Sequence, residues 1–123
     1  PMSLQYSYAL YEKDFNHEFR ERLSHSEDAS DISNYFSHTV TKMLNKIFGD
    51  KLTVKDPDIM FEPKGEAHFS FSRKLMDNKE FSDALENSDI GNIIQRFAEA
   101  ANHRYIHLAK HSEKTNSKIR HKS

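Results

Sequence analysis

Leu4, Tyr6, Tyr8 and Leu10 alternate with Gln5, Ser7 and Ala9, the period-two spacing of a strand with one buried face, and predict a short first strand. The period then changes. Phe15, Phe19 and Leu23 recur every four residues behind Asp14, whose carboxylate can accept an orphan backbone N–H, so a helix is expected over residues 15–24. Residues 25–30 are polar and turn-like. Beyond them Ile32, Tyr35, Phe36, Val40, Met43, Leu44, Ile47 and Phe48 follow the helical period, and Gly49 stands where a left-handed C-terminal cap belongs.

The middle of the chain differs in kind. Leu52-Thr53-Val54, Ile59-Met60-Phe61 and Ala67-His68-Phe69-Ser70-Phe71 are parted by Asp56-Pro57-Asp58 and Pro63-Lys64-Gly65, both turn chemistry, and predict two or three antiparallel strands. In the last run Phe69 and Phe71 share a face with Ala67 and Arg73 while His68, Ser70 and Ser72 take the other, as in a sheet covered on one side. A short helix is expected over residues 79–87 and a long one from 89 to about 111, buried through Ile90, Ile93, Ile94, Phe97, Ala98, Ala101, Tyr105 and Leu108. Residues 112–123 hold one apolar side chain, Ile119, and read as a basic tail, frayed or extended from the helix. The predicted fold class is α+β: a small antiparallel sheet of three to four strands with helices packed on one face.

The two halves resemble each other. Asn16-His17-Glu18-Phe19 and Leu23 return as Asn78-Lys79-Glu80-Phe81 and Leu85, Ser30-Asp31-Ile32-Ser33-Asn34 as Ser88-Asp89-Ile90-Gly91-Asn92, and Tyr6-Ser7-Tyr8 as Phe69-Ser70-Phe71. The offsets drift from 63 to 62 to 58 residues, and helix starts share Ser and Asp for capping without common ancestry. Asn34 and Asn92, however, lie inside their helices where capping has no use for them. An internal β-α-α pseudo-repeat follows: residues 1–50, an inserted strand pair at 51–65, a second unit at 66–111 and the tail at 112–123, all in one domain.

Composition narrows the setting. A chain of 123 residues is large enough for one core and too small for two, so related halves would have to pack together. Without cysteine there is neither a disulfide nor a thiolate nucleophile or ligand. With 30% charged residues and only short apolar runs the sequence offers neither a membrane span nor a signal peptide, and a soluble, cytoplasmic protein is expected. Pro1 precedes Met2, so the first residues are expected to be a cloning remnant. Net charge is near zero but segregated: residues 1–87 carry 11 Lys and Arg against 16 Asp and Glu, residues 88–123 carry 7 against 3. That split suits either an acidic partner or the acidic remainder of the chain.

Candidate chemistry concentrates on the last helix. Glu99, His103, His107 and His111 follow one another at a spacing of four, so Glu99 with His103, or His103 with His107, could chelate a divalent metal. His103 and His111 are separated by about 12 Å of helix rise and cannot share an ion. On a helical wheel His103 points away from the apolar stripe, among Arg96, Lys110 and Lys114, and neighbouring cations disfavour a second cation. Arg96, His103, His107, Lys110 and Lys114, continued by Lys118 and Arg120 in the tail, instead form a basic patch suited to phosphate or an acidic protein, stronger when the histidines are protonated. Lys110 and Lys114 also suit the negative end of the helix dipole without any partner. Phe69 and Phe71 beside Arg73 and Lys74 imitate a base-stacking platform, but their spacing favours the core.

Catalytic patterns are missing: there is no Gly-x-Ser-x-Gly, no phosphate-cradling glycine loop and no His-Glu-x-x-His. The acidic groups around Asp14, Asp28 and Asp31 lie near helix starts, where the dipole accounts for them. The sequence therefore points to a small noncatalytic binding or assembly module without a cofactor, expected to be a homodimer. The alternatives are a regulator that binds nucleic acid or an acidic protein, and a metal-binding protein.

Overall fold

The computed structural model describes residues 7–122, and the side chains of residues 7–110. Its centre is the helix with the clearest apolar period, α2 (Ala29–Phe48). Asp28 caps it by accepting from the Asp31 N–H at 2.9 Å. Ile32, Phe36, Val40, Met43 and Leu44 are fully buried, and Ser37, Thr39 and Thr41 are buried as well, so α2 is covered on nearly every side. It packs against α1 (Ala9–Ser24), α5 (Ile90–Lys122) and the strand β1 (Ile59–Phe61). Gly49 ends α2 with φ 57° and ψ −126°, a positive φ as expected but outside the left-handed helical well. A Cβ there would meet nothing within 4 Å, so the requirement for glycine is one of backbone alone. Gly49→Ala should cost about 1–2 kcal/mol in urea denaturation with no loss of packing. An unchanged midpoint would show that the turn relaxes freely.

Residues 7–10, the described part of the predicted first strand, are not a strand. Leu4 and Tyr6 lie outside the described residues, and α1 already begins at Ala9. Four-residue spacing runs back from Leu23 through Phe19 and Phe15 to Tyr11, and this longer stripe outweighs a few alternating residues. Leu10, assigned by alternation to a buried strand face, is 76% exposed.

The sheet is smaller than predicted. β1 pairs antiparallel with β2 (Phe69–Phe71), Ile59 opposite Phe71 and Phe61 opposite Phe69, and these are its two strands. Leu52-Thr53-Val54 is not a strand, because α2 supplies its partner from side chains. The Asn45 amide donates to the Val54 carbonyl at 2.8 Å and accepts from the Val54 N–H at 2.7 Å. Likewise the Ser37 hydroxyl donates to the Ile59 carbonyl at 2.6 Å. Backbone groups that a third strand would have satisfied are thus met by the central helix. The fold is mostly helical with a two-stranded sheet, and the α+β reading of three to four strands with helices on one face is overturned.

After β2 the chain turns immediately. Ser72 accepts from the Leu75 N–H and donates to an Asp58 carboxylate oxygen at 2.8 Å, starting the five-residue helix α3 (Arg73–Asp77), which the sequence reading does not predict. Asn78 caps α4 (Lys79–Asn87), whose bounds match the prediction. α5 then spans 33 residues, about 50 Å at 1.5 Å per residue, with buried positions from Ile90 to Ala101.

The two halves of the predicted β-α-α pseudo-repeat correspond only in part among the described residues. Phe19 and Phe81, and Ile32 and Ile90, do occupy buried positions on helices. Yet Asn78 caps a helix whereas Asn16 sits inside one, and Phe69 to Phe71 form a strand whereas Tyr8 precedes α1. Phe69 and Phe71 are partly buried and pack against the core: their ring centroids lie 5.2 Å apart, and Phe71 meets Phe81 edge-on at 4.9 Å. No helix among the described residues is long and apolar enough to cross a membrane.

Candidate functional site

Two stripes of side chains face each other where α1 crosses α5. On α5 the positions are Arg96, Glu99, Ala100, His103 and Arg104, whose spacings of three and four keep them on one face. On α1 they are Arg20, Leu23 and Ser24. Below them Phe19 meets Phe97 edge-on with centroids 5.2 Å apart, which fixes the helices' approach and leaves an open groove of about 570 Å³ above. Leu23 and Ala100 supply its apolar floor.

Three guanidinium groups line the groove, each held by an acceptor of its own. Arg104 is the most firmly placed: Nε donates to the Ser26 hydroxyl at 3.1 Å and Nη2 to the Ser26 carbonyl at 2.8 Å. Ser26 is buried, and its hydroxyl donates onward to the Leu23 carbonyl at 2.6 Å. Arg104 therefore closes the C-terminal end of α1, where a cation also meets the favourable end of the dipole. Arg96 forks onto Glu12 at 2.7 and 2.8 Å. Hydrogen bonding to that carboxylate, more than the opposing effect of burial, raises the Arg96 pKa above its ordinary value. Half of its side chain is exposed, so the pair contributes little to stability, at most about 1 kcal/mol. Arg20 donates from Nε to the Asn16 side chain at 3.0 Å, and no described residue holds its two terminal nitrogens.

The predicted patch is only partly assembled. Arg96 and His103 line the groove, Arg96 with its charge shared by Glu12. His107 and Lys110 are exposed further along α5 and do not line it. Lys114, Lys118 and Arg120 lie outside the residues whose side chains are described. Of the predicted metal ligands, Glu99 and His103 reach the groove from exposed positions. Among the described residues no three His, Asp or Glu side chains are grouped to hold one ion.

Sequence reasoning missed Arg20 and Arg104. It followed charge along α5 alone, and nothing local says which face of α1 will lie opposite. Arg104 was within reach: it stands eight residues after Arg96 and four after Ala100, on the same stripe. Comparison of the chain with protein-family models, with curated proteins and with solved structures finds no match.

Proposed function

We propose that this protein is a small noncatalytic binding module that takes an acidic peptide segment into the groove between α1 and α5. The observation that carries the reading is the set of three guanidiniums, Arg20, Arg96 and Arg104, each fixed through one edge with further N–H donors to spare. A planar fork held in place loses little entropy on meeting a carboxylate. The apolar floor of Leu23 and Ala100 favours a peptide with an apolar residue between its acids. Glu99 on the same wall opposes a continuous phosphate backbone, so nucleic acid is the less favoured ligand. A chain without cysteine suits a cytoplasmic setting.

Fluorescence anisotropy with a labelled Glu-Asp-Leu-Glu-Asp peptide tests the proposal. Binding should weaken as salt rises, and Arg20→Glu, at an exposed position, should lower affinity about tenfold or more without changing stability. No binding at low salt, or an unaffected Arg20→Glu variant, would remove the reading; tighter binding of single-stranded RNA than of the peptide would replace it with the nucleic-acid alternative. The expected homodimer has weaker support. The large exposed apolar side chains Leu10, Met60, Met76 and Ile106 lie on four different elements, and single exposed apolar residues are ordinary on a monomer.

A further inference from the structure

A second concavity, of about 420 Å³, lies away from the groove, between the end of α2 and α4. Its volume falls in the range of small-ligand pockets. The floor is apolar: Phe48 is buried and meets Phe81 edge-on at 6.2 Å, and Ile47 and Ala84 lie beside it, partly buried. The wall from α4 presents Glu80, Asp83, Ala84 and Asn87, again spaced three, four and seven apart. Neither Glu80 nor Asp83 has an ion-pair partner among the described residues.

The charged side chains on the rim are acidic on balance. α2 ends at Phe48 and α4 at Asn87, while Tyr8 caps the start of α1 and Ser88 accepts from the first N–H of α5, so helix ends of both signs stand at its edge and their dipoles offset one another. Lys51 is the one cation on the lining, against the two carboxylates of Glu80 and Asp83. An apolar floor under a negative rim is complementary to a molecule that is apolar at one end and cationic at the other. Glu80 in the first turn of α4 is accounted for by that helix's dipole; Asp83, in mid-helix beside the pocket, is not.

We propose that this pocket binds a small amphipathic amine, a free ammonium or guanidinium compound with a compact apolar body. The size of the concavity, about 420 Å³, matches a small molecule. The apolar part would rest on Phe48, Ile47 and Ala84, and the cationic head would lie between Glu80 and Asp83, away from Lys51. This site and the arginine groove have opposite charge preferences and no lining residue in common, so either can fail without the other.

The test is amide NMR titration of the full chain with three probes of one shape: phenethylammonium, 2-phenylethanol and 3-phenylpropionate. Phenethylammonium should shift the amides of Phe48, Lys51, Ala84 and Asn87, bind about fivefold or more tightly than the alcohol, and leave the anionic probe weakest. Asp83→Asn should bring the amine down to the alcohol's affinity. Ala84→Leu, which fills the floor, should abolish binding of both while the spectrum keeps its folded dispersion. Equal affinity for amine and alcohol, shifts mapping elsewhere, or no shifts up to about 10 mM amine would overturn the proposal.

Discussion

Phe36→Ala is expected to destabilise the protein by about 3–5 kcal/mol, a large share of the roughly 5–15 kcal/mol that holds a domain of this size. Phe36 is fully buried on the central helix, and its ring meets Phe61 of β1 at 5.9 Å and Phe69 of β2 at 6.4 Å. A two-stranded sheet is marginal by itself in water, so this aromatic anchor decides whether the hairpin stays folded. Removing the ring loses its transfer energy and leaves a cavity that surrounding helices cannot fill without moving. Urea denaturation followed by circular dichroism measures the cost. Phe36→Leu should recover most of it, and a loss below about 1.5 kcal/mol for alanine would show that the hairpin is anchored elsewhere.

Asn45→Ala should cost about 2–4 kcal/mol for a different reason. The Asn45 amide makes both hydrogen bonds of Val54, and Val54 is buried, so truncation leaves an N–H and a carbonyl unpaired where water reaches them poorly. Each such orphan costs about 1–3 kcal/mol. Asn45→Asp keeps the acceptor for the Val54 N–H but sets a carboxylate oxygen against the Val54 carbonyl, so it should restore little. Hydrogen exchange separates this from a general loss of stability. The Val54 amide should lose protection well before the amides of α2, and an equal loss at both would count against a local role for the clamp.

Much of the helical part was legible in the sequence. α2 and α4 follow from apolar residues at three- and four-residue spacing with a capping side chain ahead of them, and both signals are contained within the element they specify. The first helix was half legible: Phe15, Phe19 and Leu23 gave its stripe, but Tyr8 and Leu10 imitated alternation over too few residues to distinguish a strand from a helix start. The strand near Val54 was misjudged because the residues there suit an extended backbone. Whether such a backbone becomes a strand depends on what completes its hydrogen bonds. Here Asn45 does so from nine residues away in sequence, and a polar side chain inside a helix carries no local sign of that role.

The candidate site divides along the same line. Arg96, Glu99 and His103 were visible as one face of α5, whereas Arg20 and Arg104 gained meaning only when α1 was laid across it and Ser26 turned its hydroxyl and carbonyl to Arg104. By itself the sequence determined where the helices of strongest period run, which side chains fill the core, and that charge is segregated along the chain, because periodicity, capping and composition are local. Tertiary structure alone decided that the sheet would stop at two strands, that α2 would be enclosed, and that two stripes from distant segments would make a groove. Those outcomes depend on which surfaces meet, and packing chooses among faces and hydrogen-bond partners far apart in the chain.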